Sequence, residues 1–325
     1  MFVDSAGKGR NEIWRYLISM PSLLLGLAVS VIFLLVTTTM SQWYFNDAQS
    51  GIDALMMVID AYEHPRLWGE PYRPAEMIFL AAYLISIFLS AGVTAAAVKL
   101  VHRRPIVSLL NCDQGFRWML LWRSLAFGLI GVGSAAAINL VVFGENFRLT
   151  SDLPAFLALA AIVLVLVPLQ VLGEEIVFRG YILQSTAWFF HNPAVRLVFP
   201  AALFFGVHTG GKEISEGGLG YMVEYAMVAL YLTWLAIRTD GLEAPLGFHI
   251  ANNYIALPIV SHDLNSFSVP ALFFDTDPML EWEPLVAAWF LFIHYWFVVR
   301  GKFPRDQTRM PVGSSGRRSS QSVSS

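Results

Sequence analysis

Apolar residues in this chain fall into long unbroken runs, without the short alternations of a soluble domain. Tyr16 to Met40, Met77 to Val98 and Trp118 to Phe143 form the first three. A fourth enters at Leu153, passes a charged cluster at Glu174, Glu175 and Arg179, and is expected to continue as helix toward Phe190. Leu197 to Val207, Leu219 to Ile237, Ala244 to Val260 and Pro284 to Val299 follow. Crossing about 30 Å of hydrocarbon takes about 20 apolar helical residues, so the pattern predicts an all-α, polytopic transmembrane bundle of about eight spans. Leu197 to Val207 alone is too short to cross. A broken or re-entrant helix is therefore expected between 185 and 220, which is tolerated only where the backbone faces protein or a water-filled cavity.

The polar segments between the runs orient them. Lys8, Arg10 and Arg15 precede the first run, and Lys99, His102, Arg103 and Arg104 follow the second. Arg196, Arg238, and Arg300 with Lys302 and Arg305 mark the later returns. Asp47, Asp53, Asp60, Glu63 and Glu70 fill the segment Gln42 to Arg73, while Asp263, Asp275, Asp277, Glu281 and Glu283 fill the loop before the last run. Basic clusters stay inside, so both termini are expected in the cytosol, with Trp43, Tyr44, Trp68 and Tyr72 at the interface. The first run is too long for a signal peptide and lacks a cleavage site, so it is read as an uncleaved span. Three stretches result: three N-terminal spans in 1–152, a helical core with the last span in 153–300, and a basic, Ser- and Gly-rich tail, 301–325. The tail has almost nothing to bury and is expected to be disordered.

Composition adds three exclusions. Of 325 residues, 56% are hydrophobic and 14% charged, where a soluble domain carries about a quarter charged residues. A net charge of −3 argues against nucleic acid as a partner and leaves membrane lipid. The single cysteine, Cys112, can form neither an internal disulfide nor a cysteine metal cage.

The candidate chemistry lies where polar residues break apolar helices. An ionisable group at the centre of a spanning helix costs about 2.5–3.5 kcal/mol even on a lenient insertion scale. Glu175 and Arg179 stand four residues apart, the acid on the N-terminal side, which suits an intrahelical ion pair. Glu174 lies about 100° round the helix, so it is expected to point elsewhere and to remain free as a base. Phe204 shares a helix face with His208, and His249 shares one with Asn253. His64, His102, His191 and His262 are assigned to polar loops or turns, and His294 to packing. A packing role suits a lone intramembrane histidine, and a clamp suits a lone Glu–Arg pair. Two carboxylates, two imidazoles and an amide on three helices point instead to a functional site.

Glu174-Glu175-x-x-x-Arg179, Phe204-x-x-x-His208 and His249-x-x-x-Asn253, in this order, resemble the three motifs of the CPBP family. That family comprises the CAAX proteases and bacteriocin-processing enzymes, including type II CAAX prenyl endopeptidases of the Ras-converting-enzyme type. Phe178 and Gly180 match the extension of the first motif, and the resemblance spans about Leu153 to Val260. It implies intramembrane peptide-bond hydrolysis with no covalent intermediate. Glu174 and His208 would activate water, His249 and Asn253 would stabilise the oxyanion, and Glu175, Arg179 and Phe204 would support them. The substrate would be a peptide or a prenylated protein, met from the cytosolic side, and in a prokaryote the inner membrane would house the enzyme. No cofactor is expected. Zinc held by Glu174, His208 and His249 is the alternative, since the ligand types suit it. Gly131-Val132-Gly133-Ser134 lacks the rest of a rhomboid pattern, and every Asp lies in a loop or at a run's end, against a paired-aspartate protease. A transporter or immunity-type scaffold could use the same buried groups, but no inverted repeat and no lost motif residue supports either.

Overall fold

The computed structural model describes residues 1–45, 50, 52–53, 56, 74–111, 115–265, 267 and 269–300. Cys112, most of the acidic segment after the first run, and the tail 301–325 lie outside the described residues. The expected all-α bundle is observed. Among the described residues six helices are long and apolar enough to span: Ile13–Tyr44, Glu76–Leu100, Trp118–Val142, Leu153–Phe189, Gly218–Thr239 and Leu280–Val299. We label the helices α1 (Ile13–Phe45), α2 (Pro74–Leu100), α3 (Trp118–Val142), α4 (Leu153–Glu175), α5 (Leu183–Phe189), α6 (Pro193–His208), α7 (Lys212–Glu216), α8 (Gly218–Thr239), α9 (Glu243–Ala256) and α10 (Glu283–His294).

The two remaining runs of the eight form short helices. α6 has 16 residues and α9 has 14, so at 1.5 Å per residue they reach about 24 and 21 Å, short of the hydrocarbon thickness. For α6 the cause is local. Asn192 caps its start by accepting from the Ala194 amide at 2.9 Å, Pro193 occupies the first turn, and the helix stops at His208 before Thr209, Gly210 and Gly211. For α9 the cause is tertiary. Every residue from Glu243 to Ala251 is buried, so neighbouring helices, and not lipid, set its length.

α4 starts at a cap in which Asp152 accepts from the Ala155 amide at 3.0 Å. It does not end at the charged cluster. A wider π turn, Ile176–Ile182, continues it into α5, and the whole run extends from Leu153 to Phe189. The π geometry begins immediately after Glu175, and such turns within helices recur at functional sites.

α9 is held against α3 by small residues. A Cβ at Gly247 would press on the Leu121 carbonyl and lie 2.8 Å from the Leu125 nitrogen, and one at Gly128 would lie 2.7 Å from the Ala251 Cβ. The start of α9 is tied down by charge. Arg117 grips the buried Glu243 through Nη2–Oε2 at 2.6 Å and Nε–Oε1 at 3.1 Å, and its Nη1 donates to the Thr239 carbonyl at 2.6 Å. Gly247→Val is accordingly expected to destabilise the detergent-solubilised protein by about 1–3 kcal/mol through overpacking, read as a lower Tm; an unchanged Tm would mean that the α3–α9 contact is loose.

One small element was not expected. β1 (Phe147–Leu149), β2 (Val260–His262) and β3 (Phe273–Asp275) form a three-stranded sheet in the order β1-β3-β2, antiparallel between β1 and β3 and parallel between β2 and β3. Three-residue strands are too short to leave a period-two signature in the sequence. His102 lies in the turn assigned to it, but that turn is not solvent-exposed. It is buried, with Nδ1 at 3.1 Å from the Arg10 carbonyl and Nε2 at 3.0 Å from Ser19 Oγ. The chain preceding α1 folds back over the loop after α2 and encloses it.

Candidate active site

Arg179 lies one turn beyond Glu175, and its Nη1 donates to Glu175 Oε1 at 3.0 Å, with both side chains wholly buried. The guanidinium also sits over the Phe204 ring, 4.0 Å from its centre, so the clamp on α4 reaches across to α6. His249 of α9 enters between the two glutamates. Its Nδ1 lies 2.9 Å from Glu175 Oε1 and its Nε2 3.5 Å from Glu174 Oε2. Glu175 Oε1 is therefore shared by Arg179 and His249.

The division of labour drawn from spacing left out this imidazole. Glu174 and Glu175 do leave the helix in different directions, but one imidazole meets both. Helical periodicity places side chains around a single axis. It carries no information about a third helix inserted against that axis.

His208 is placed less directly. Its Nδ1 donates to the Phe204 carbonyl at 2.7 Å, the i to i−4 bond of its own helix, which leaves Nε2 as an acceptor. The Phe204 ring lies between the two imidazoles, 4.5 Å from His208 and 5.9 Å from His249 by ring centres, and Tyr225 of α8 lies 5.7 Å from His208 on another side. Among the described residues no hydrogen bond joins His208 to Glu174, His249 or Asn253. Asn253, one turn beyond His249, donates from Nδ2 to Gln170 Oε1 at 3.1 Å.

The structure thus gathers Glu174, Glu175, Arg179, Phe204 and His249 in direct contact, with His208 joined through Phe204 and Asn253 one turn away. Sequence reasoning passed over Gln170, Tyr225 and the Arg117–Glu243 pair. Gln170 carried a usable signal: an amide four residues before Glu174 in an otherwise apolar run. His294 is buried as a packing residue with both nitrogens engaged, by Ser124 Oγ at 2.7 Å and Tyr231 Oη at 2.6 Å. Among the described residues no group of three or more His, Cys, Asp or Glu side chains could hold a metal ion. Glu174, His208 and His249 do not form such a group.

A bundle with six membrane-length apolar helices and a buried acid–imidazole cluster is an integral membrane protein built around a polar site. Residues 154–255 match the Rce1-like family model, described as type II CAAX prenyl endopeptidase Rce1-like. Over this stretch, which holds all seven residues of the three motifs, the chain is similar to that family, in agreement with the CPBP resemblance the motifs carry. The chain is also similar to YyaK of Bacillus subtilis (strain 168), an uncharacterized protein. The two are 26% identical over 208 residues, covering 62% of this chain and 68% of YyaK. No solved structure matches.

Proposed function

We propose that this protein is an intramembrane endopeptidase of the CAAX type that hydrolyses a peptide bond with a glutamate-activated water. The observation that carries the proposal is the placement of His249 between Glu175 and Glu174. Glu175, neutralised by Arg179, accepts from Nδ1–H and fixes the ring, as a buried carboxylate orients the imidazole of a hydrolytic triad. The mechanism uses the doubly protonated ring: Nδ1–H is held by Glu175, and Nε2–H, on the edge that faces the Glu174 carboxylate, is the donor at the site.

The chemistry follows from these positions. The mechanism calls for a water held by Glu174, with Nε2 of His208 as its second acceptor. As its oxygen attacks the scissile carbonyl carbon, its proton passes to Glu174. The charge that develops on the carbonyl oxygen meets His249 Nε2–H and the Asn253 amide, each such donor being worth about 3–4 kcal/mol. Glu174 returns the proton to the leaving nitrogen, the C–N bond breaks, and a carboxylate and an amine depart. The substrate is a peptide or protein segment reaching into the bundle. The description of the matching family supports a prenylated C-terminal CAAX segment.

The test is reconstitution in liposomes with a farnesylated CAAX peptide and its unprenylated counterpart, each with and without a zinc chelator. Cleavage of the farnesylated peptide, unaffected by the chelator, is the expected result. Equal cleavage of both peptides would overturn the prenyl assignment. Loss with the chelator, restored by added zinc, would overturn the metal-free water.

A further inference from the structure

Gln170 belongs to the α4 turn before Glu174. It is 5% exposed and points into the bundle, although an apolar side chain would suit that helix better. Its Oε1 accepts from Asn253 Nδ2 at 3.1 Å, and among the described residues its own Nε2 makes no hydrogen bond.

The pairing has a register. Glu174 faces His249 and Gln170 faces Asn253, so four residues back along α4 correspond to four residues forward along α9. The two helices run antiparallel here, and the contacts form two rungs about 6 Å apart along the axes. The first rung is carboxylate to imidazole, and the second is amide to amide. On both rungs the α9 side chain, His249 or Asn253, is turned toward α4.

We infer that Gln170 is a positioning residue of the oxyanion pocket: it holds the Asn253 amide so that the remaining N–H faces the reacting carbonyl. This rests on the hydrolytic reading above. A bare interhelical clasp would use the same hydrogen bond. The clasp would act on stability, whereas the pocket acts on the transition state.

The two are separated by Gln170→Leu, Gln170→Glu, Asn253→Ala and the double variant Gln170→Leu/Asn253→Ala, assayed as full-length protein in liposomes on the farnesylated CAAX peptide. Gln170→Leu is expected to lower kcat about ten- to a hundredfold by displacing the donor, with KM and Tm little changed. Asn253→Ala should lower it about a hundredfold or more, and the double variant no further, because Gln170 acts largely through Asn253. Gln170→Glu keeps the acceptor but sets a negative charge beside the oxyanion, so it should lose at least as much kcat as Gln170→Leu. Should Leu lower the yield of folded protein, Gln170→Met, closer in length, carries the same expectation.

Wild-type kcat in Gln170→Glu, or single losses that multiply in the double variant, would overturn the pocket and leave the clasp. A parallel Glu174→Gln control separates the layers. Inactive Glu174→Gln with fully active Gln170→Leu refutes this inference alone, whereas active Glu174→Gln refutes the hydrolytic reading and this inference with it.

Discussion

Glu174→Gln is expected to abolish peptide cleavage, lowering kcat by about a thousandfold, within the span assigned to a lost general base, while the protein folds and inserts normally. The substitution keeps the size of the side chain and a carbonyl oxygen that can face His249 Nε2, 3.5 Å away. The capacity to take a proton from water and return it to the leaving amine is removed. Glu174 forms no ion pair with Arg179, and its Oε2 has no hydrogen-bond partner among the described residues. Stability should therefore change little, because a neutral amide costs less to bury than a carboxylate. The measurement is product formation per folded molecule, with Tm in parallel. Cleavage within a few-fold of wild type would refute the glutamate mechanism, whatever the fate of the other variants.

Arg179→Met should act in the opposite way, as a failure of folding first. Arg179 is wholly buried, and so is Glu175. Removing one partner of a buried pair leaves an uncompensated charge and costs about 3–5 kcal/mol. The variant also loses the stacking on Phe204 that ties α4 to α6. The second arm is Glu175→Met/Arg179→Met. Replacing both charges with apolar groups of similar volume is commonly neutral for stability, so Tm should recover most of the loss. Activity should not recover, because His249 Nδ1 loses the carboxylate that orients it at 2.9 Å. Recovery of both would mean that Glu175 only neutralises Arg179. Recovery of neither would assign the pair a packing role that Met cannot fill.

Much of this protein was legible in its residues, for physical reasons that can be named. Hydrocarbon imposes a length and an apolarity on any helix that crosses it, so the runs beginning at Tyr16, Met77, Trp118 and Leu153 declared themselves without any partner. Helical periodicity within one run was equally local. It set Glu175 and Arg179 one turn apart, and the observed 3.0 Å ion pair realises that spacing. The shortness of α6 was written in Asn192, Pro193 and the glycines after His208. The three motifs, taken in order, carried the family resemblance that the match over 154–255 supports.

What remained hidden depended on contacts between segments distant in the chain. Gln170 and Asn253 are 83 residues apart, and Arg117 and Glu243 are 126 apart, so neither pair could be read from one helix. The three strands are too short to carry a period of their own, and they exist because their loops meet at one end of the bundle. The burial of His102 depends on how the chain before α1 folds back. Above all, the sequence determined that two carboxylates and an arginine lie within one apolar helix at a spacing suited to an ion pair. Only the tertiary structure decided that His249 stands between the carboxylates, because an imidazole reaches both only once the glycines of α3 and α9 let those helices close together and α9 is packed against α4.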